Sequence, residues 1–86
     1  MPALSRFYVI DIRMYFLQSE HNPPHVHVIY QDETFSITIK DLKIIDGELS
    51  PSPRALKMVK EWINLHQEEL LTMWETQDFH EIEPLK

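Results

Sequence analysis

The sequence predicts an α+β fold in which an antiparallel meander of three or four strands carries one long C-terminal amphipathic helix on one face. Three observations predict it. Apolar and polar residues alternate with period two up to residue 40, prolines and acidic turns interrupt that alternation, and apolar residues recur at helical spacing from 54 to 74. Because the strands alternate rather than form solid apolar runs, one face of the sheet is expected to be covered and the other open. At 86 residues, the chain has room for one domain, over 1–86.

The strands are predicted from β-branched and aromatic residues bounded by turn signals. They cover residues 6–17, 25–31 and 34–40, with 42–46 as a candidate fourth strand that ends near the only glycine, Gly47. Pro23 and Pro24 separate the first two, because proline cannot donate to a strand ladder. The residues expected on the covered face are Tyr8, Ile10, Ile12, Met14, Phe16, Val26, Val28, Tyr30, Phe35, Ile37 and Ile39.

The helix is predicted over about residues 53–75, with Ser52 as its N-cap and Pro53 in its first turn. Its apolar arc consists of Ala55, Leu56, Val59, Trp62, Ile63, Leu70, Met73 and Trp74. His66 falls within this arc, so we interpret it as a packed structural residue. The tail, 76–86, has no clear period and is expected to pack loosely or extend, with no role for His80.

Composition narrows the function classes. Fourteen acidic residues against eight basic ones give a net charge of −6. This charge opposes the binding of nucleic acid over a broad surface, but it does not exclude a local basic site. Without cysteine, the chain can build neither a disulfide nor a thiolate metal site, as is common in a reducing cytoplasm. Asp11 and Arg13 interrupt the first apolar run, so it is no signal peptide, and no run approaches a membrane span. We expect a cytoplasmic protein.

The segment HNPPHVHV, from His21 to Val28, is the candidate functional motif. If its two valines enter the core, alternation sends His25 and His27 to the open face of the sheet. The first strand presents Arg13 and Tyr15 on that face. We expect Arg13 to lie opposite His27 and Tyr15 opposite His25, which would gather all four side chains into one patch.

This patch admits three interpretations. His25 and His27 are candidate catalytic residues with Arg13 and Tyr15, because histidines titrate near neutrality and an arginine stabilises a phosphorane; this would give a metal-independent ribonuclease. Alternatively, His21, His25 and His27 could hold a divalent metal. The third interpretation is a polar sheet face that is solvated or covered by a partner, since arginine and aromatic residues are common in protein interfaces.

The chain also resembles, almost end to end, the small bacterial family called domain of unknown function 4160. The resemblance runs through SRFYVIDIRMYF, EHNPPHVHVIY, GEL, RALKMVKEWINLHQEELLTMWE and IEPL. Two places depart from the family pattern: Val26 stands where Phe is common, and SPSPR is looser than the usual proline-containing turn. The positions that match the family's signature are Arg13, Tyr15, His21, Pro23, Pro24, His25, His27, Trp62 and His66.

The resemblance implies no established activity. Members of that family often lie beside genes for another family, domain of unknown function 2442, in an arrangement like that of a toxin–antitoxin pair. From this we expect one component of a toxin–antitoxin-like two-protein module, with a small protein encoded by a neighbouring gene as its partner. A homodimer is the other assembly expected of so small a domain. No cofactor is expected beyond the divalent metal of the alternative interpretation.

Overall fold

The computed structural model describes residues 3–15, 23–47 and 50–85. Within these residues the chain forms β1 (Ala3–Phe7), β2 (Ile10–Arg13), β3 (His25–Tyr30), β4 (Glu33–Thr38), β5 (Ile44–Gly47), α1 (Pro53–Leu65) and α2 (Gln67–Thr76). The strands form one antiparallel sheet in the order β1-β2-β3-β4-β5. The α+β class and the antiparallel meander are therefore confirmed, but the sheet of the described residues has five strands rather than the predicted three or four. No helix in this part of the chain is long and apolar enough to cross a bilayer.

The predicted first strand, 6–17, is wrong: this region contains a β-hairpin. Strands β1 and β2 pair from Ala3 to Arg13, and Tyr8 and Val9 form the turn with φ of 48° and 58°. The turn reverses the predicted faces, so Phe7 is buried and Tyr8 is 54% exposed. The error has a physical cause, since two-residue turns with positive φ usually contain Asn or Gly, and neither residue is present here. Residues 16 and 17 lie outside the described residues.

The core lies between one face of the sheet and the two helices. The side chains of Ile10, Ile12, Met14, Val26, Val28, Phe35, Ile37 and Ile39 are at most 1% exposed, as the strand alternation predicted. Trp62 is fully buried at the centre of the helical side, and its ring lies 6.0 Å from that of Phe7. Because these alternate strand residues are in the core, the residues between them point to the opposite face of the sheet.

The prediction of one long helix is wrong, because His66 separates α1 from α2. Its φ of −119° and ψ of 23° leave the helical region, and its amide donates to the carbonyls of Trp62 and Ile63 at 3.2 and 3.1 Å. The apolar arc continues in phase across the break, so periodicity alone gave no signal for it. Ser52 is the N-cap as predicted, but it makes no capping bond with its side chain. Its amide instead donates to Glu33 Oε1 at 2.9 Å.

The tail was predicted to pack loosely or to extend; it has no helix or strand over residues 77–85, and it packs along β1 and α1. The amide of Ile82 donates to the Leu4 carbonyl at 2.7 Å, and the Ile82 side chain is 5% exposed. The indole Nε1 of Trp62 donates to the Glu83 carbonyl at 2.9 Å. His80, for which no role was expected, pairs with Glu69 on α2 through an Nε2–Oε2 distance of 2.7 Å. The tail therefore closes the core at its β1 edge.

We expect the His80–Glu69 pair to make stability depend on pH. The hydrogen bond to Glu69 raises the pKa of His80 above its ordinary value of 6.5, and the nearby carboxylates of Glu69 and Asp78 raise it further. Because the folded-state pKa is the higher one, the contribution is fully present below about pH 6.5 and is lost as the pH rises through the folded-state pKa. The free energy of unfolding should therefore exceed that of His80→Gln by more at about pH 5.5 than at about pH 8.

Glu69→Gln is the matched control, because it removes the same pair from the other side. Its difference from the wild type should follow the same pH dependence. A stability difference between wild type and His80→Gln that does not change between these two pH values would contradict the assignment.

Candidate functional site

The strand register aligns polar residues in one row across the sheet. Arg13 lies opposite His27, His27 opposite Ser36, and Ser36 opposite Asp46. Directly opposed residues share a face of an antiparallel sheet, and the buried Val26 and Val28 occupy the other face. The predicted pairing of Arg13 with His27 is confirmed. We call the surface formed by Asp11, Arg13, Tyr15, His25, His27 and Ser36 the histidine face.

His27 is the centre of the histidine face. Its half-buried ring lies 4.3 Å from the Tyr15 ring and 5.2 Å from the His25 ring, measured between centroids. Its Nδ1 is hydrogen-bonded to the Ser36 hydroxyl at 3.1 Å. These contacts fix the orientation of the imidazole from three sides. Ser36 was not among the predicted site residues, although its polar position in TFSITIK, applied to the strand register, could have found it.

His25 does not lie on an open surface, which corrects the prediction. Only 5% of the residue is exposed, and its ring packs against the Trp74 ring of α2 at a centroid distance of 5.1 Å. Its Nδ1 donates to the Pro23 carbonyl at 2.8 Å. Since a carbonyl can only accept, Nδ1 carries a proton. The ring of Tyr15, expected opposite His25, lies against His27 instead. His25 thus forms a wall of the histidine face.

Arg13 is held by a carboxylate on its own strand. Its Nε and Nη2 donate to Asp11 Oδ2 at 3.2 and 2.9 Å, and the two side chains are 25% and 20% exposed. The hydrogen bond and charge of Asp11 raise the pKa of Arg13, so the guanidinium stays protonated. Arg6 Nε approaches the same Asp11 oxygen at 3.5 Å. The three side chains together carry one net positive charge, because the carboxylate of Asp11 offsets one of the two arginine charges.

One acceptor at this site is left unsatisfied. Asp11 Oδ1 is buried and has no hydrogen-bond partner among the described residues. A buried carboxylate oxygen without a donor costs free energy, but an atom with no exposed surface cannot accept a hydrogen bond from a molecule that docks from outside. The group that this pair presents to a partner is therefore the guanidinium of Arg13, whose side chain is 25% exposed.

The geometry of the site does not favour the metal-binding interpretation, and it fits the acid–base interpretation at His27 but not at His25. The described residues contain no group of three His, Cys, Asp or Glu side chains placed to hold a metal, and the third predicted ligand, His21, lies outside them. Arg13 beside His27 would also repel a cation. For acid–base chemistry, His27 combines partial exposure with an adjacent guanidinium, whereas the burial of His25 suits a residue that positions its neighbours.

Comparison with known proteins gives one match. A family model described as "Domain of unknown function (DUF4160)" matches residues 10–75. No curated protein and no solved structure matches the chain. The matched segment runs from the start of β2 almost to the end of α2, so it contains the whole histidine face and excludes β1 and the tail.

Proposed function

Since this chain belongs to the DUF4160 family, a domain of unknown function, we propose its function from the geometry of the histidine face. The protein is one component of a toxin–antitoxin-like two-protein module in the cytoplasm. It binds its partner, a small protein encoded by a neighbouring gene, through the histidine face. The site accordingly works as a docking surface whose side chains are held in place before the partner arrives.

The observation that carries this proposal is the arrangement of Arg13, Tyr15 and His27. The Tyr15 ring packs at a tilt of 58° against an imidazole that is itself fixed by a hydrogen bond, and Arg13 is fixed by Asp11. Arginine and tyrosine carry much of the binding energy in protein interfaces, above all where they are partly buried before binding. Side chains that are already ordered lose little conformational entropy on association, which favours affinity.

The charge of the site supports a protein partner over a nucleic acid. Phosphate binding draws its affinity from lysines and arginines whose counterions are released. Here Asp11 neutralises part of the charge of Arg6 and Arg13, and the whole chain carries a net charge of −6. A protein surface that presents a carboxylate would pair with the guanidinium of Arg13, whose side chain is 25% exposed.

A metal-independent ribonuclease is the second candidate, and the specific support for it is the half-buried His27 beside a permanently charged Arg13. In that reaction the 2′-oxygen would bond to phosphorus and the bond from phosphorus to the 5′-oxygen would break. His27 would take the proton of the 2′-hydroxyl and return it to the departing 5′-oxygen, and Arg13 would stabilise the negative charge that develops on the phosphate. His25 would hold the ring of His27 in place.

Arg13→Glu tests the proposed function. Co-expressed with the protein from the neighbouring gene, the wild-type chain should co-purify with it, whereas Arg13→Glu should bind at least about 30-fold more weakly, which corresponds to about 2 kcal/mol. The reason is that the substitution places two carboxylates side by side where the partner's acceptor would meet a cation. Titration calorimetry on the purified proteins measures the loss.

Arg54→Glu is the matched control, because it makes the same charge reversal at an exposed position of α1. It should bind like the wild type. A folded Arg13→Glu protein that retains the wild-type affinity would refute docking through the histidine face. RNA cleavage by the wild-type protein in EDTA, lost in His27→Ala, would support the ribonuclease instead.

A further inference from the structure

The tail of the chain covers the outer edge of β1. Strand β1 is at one edge of the sheet and pairs with β2, so its other side offers main-chain groups to a further strand. A bulge lies between Ala3 and Ser5, and Leu4, the residue between them, has no partner in the β1–β2 register. The Leu4 carbonyl accepts a hydrogen bond from the Ile82 amide at 2.7 Å. The tail therefore lies where an added strand would pair with β1.

The tail lies in the groove between β1 and α1 in the manner of a bound peptide. On the side of α1, the indole Nε1 of Trp62 donates to the Glu83 carbonyl at 2.9 Å. Between these two main-chain contacts the Ile82 side chain is buried, with 5% exposed, whereas Glu81, Glu83 and Pro84 are exposed. Peptides added at a sheet edge are bound in this way, because main-chain hydrogen bonds give affinity and pockets for alternate side chains give specificity.

The tail is an addition to the family domain. The family match covers residues 10–75, so both β1, which forms one wall of the groove, and the tail lie outside it. Residues 77–85 contribute no helix or strand to the sheet or the helical layer. Segments at chain ends open at a much lower free energy than the whole fold. The tail can therefore leave the groove while the sheet and the helices stay folded.

We propose that the groove between β1 and α1 is a binding site for an extended segment of a partner protein, and that the tail is its resident occupant, which the partner displaces. The segment has the pattern of residues 81–85, EIEPL, in which a β-branched residue is the buried anchor. Such residues suit the extended conformation that pairing with a strand requires. Pro84 has no amide hydrogen, so pairing with β1 ends two residues after the anchor. The groove contains no residue of the histidine face, so it is independent of the function proposed for that face.

A partner's segment is favoured as the displacing occupant over the tail of a second copy. Each copy keeps its own tail beside its own groove, at an effective concentration on the order of millimolar. Exchange of tails between two copies would make the same contacts in the same groove, so it would add no binding energy and would cost the entropy of association. A partner segment that binds more tightly than the tail would overcome this competition. The tail therefore sets the affinity that a partner must exceed.

Fluorescence anisotropy with the labelled peptide DFHEIEPL, residues 78–85, tests the groove. In the full chain, Ile82→Asp should remove the anchor from the groove, because an unpaired carboxylate is not buried. This variant should bind the peptide at least about tenfold more tightly than the wild type, whose own tail competes. Ile82→Ala, a milder change, should give an intermediate affinity. If Ile82→Asp is partly unfolded alone, the peptide should raise its melting temperature as the peptide concentration rises, since it binds the folded chain.

Ile45→Asp is the matched control, since Ile45 is 45% exposed on β5, at the other edge of the sheet. It should bind the peptide as weakly as the wild type does. Two altered peptides test the contacts themselves. The peptide with Ile82→Asp should not bind, and the peptide that carries N-methylisoleucine at position 82 should bind Ile82→Asp about fivefold more weakly, because it lacks the amide that donates to the Leu4 carbonyl.

Equal affinity of the peptide for the wild type and Ile82→Asp would overturn the proposal, as would a peptide that neither binds Ile82→Asp nor raises its melting temperature. Sedimentation equilibrium of the wild type tests the second copy as the alternative occupant. The wild type should stay monomeric. A wild-type dimer that is lost in Ile82→Asp but kept in Ile45→Asp would mean that tails are exchanged between copies, and the groove would not be a site for a different protein.

Discussion

Replacing Trp62 with alanine is expected to lower the free energy of unfolding by about 3–5 kcal/mol. The side chain is fully buried, and its ring packs near those of Phe7 and His66, at centroid distances of 6.0 and 5.2 Å. Its Nε1 also holds the tail by donating to the Glu83 carbonyl. The substitution thus opens a cavity between the sheet and α1 and releases the tail from the same point. A domain of this size has about 5–10 kcal/mol in total, so the variant should be largely unfolded on mild heating.

Urea denaturation followed by circular dichroism measures this loss. Trp62→Phe is the control, because it retains an aromatic ring in the core and removes the hydrogen bond to the tail, at an expected cost of about 1–2 kcal/mol. A loss below about 1 kcal/mol for Trp62→Ala would mean that the core can collapse around the missing ring. That result would contradict a central role for Trp62 in joining the sheet, α1 and the tail.

Some features of the fold could be predicted from the sequence pattern, and others could not. The apolar core residues of β3 and β4 could be predicted from the period-two alternation of the sequence. That alternation did not predict the burial of Ser36 and Thr38, which are 4% exposed between the core residues of β4. The β1–β2 turn could not be predicted, because Tyr8 and Val9 are strand-forming residues and the turn depends on tolerated strain rather than on a turn signal. The break between α1 and α2 at His66 could not be predicted either, because the apolar residues keep their helical spacing across it.

Some features of the candidate site could likewise be predicted from the sequence pattern, and others could not. The alternation of side chains along each strand was sufficient to place Arg13 and His27 on the same face, because it depends only on which residues of β2 and β3 are buried. Their position directly opposite each other also depended on an assumed register, which the pairing of β2 with β3 confirms. The burial of His25 depends on tertiary packing, which this alternation does not describe. The Gln67 side chain donates to the Ile39 carbonyl at 2.8 Å, which ties the start of α2 to the chain just after β4. From there Trp74 reaches His25. The two histidines of one motif therefore have different environments.

This difference leads to a sharp expectation for the motif: His25→Ala should cost about 3–4 kcal/mol of stability, and His27→Ala about 1–2 kcal/mol. Removal of the His25 ring leaves a cavity beside Trp74 and strips the Pro23 carbonyl of its donor. Removal of the His27 ring costs its hydrogen bond to Ser36 and its contacts with the rings of Tyr15 and His25, and it opens a smaller cavity because His27 is only half-buried. A motif in which both histidines served chemistry on an open surface would give two small and similar losses.

Equilibrium unfolding of the two variants compares these losses, and Trp74 gives a local readout. In a Trp62→Phe background Trp74 is the remaining tryptophan, so its emission reports the contact with His25 directly. The emission should shift to longer wavelength in His25→Ala and should change little in His27→Ala, while His25→Phe should retain most of the packing. If His27→Ala were the more destabilising variant, His27 would hold the fold together. The histidine face would then have to act through Arg13 and Tyr15 alone.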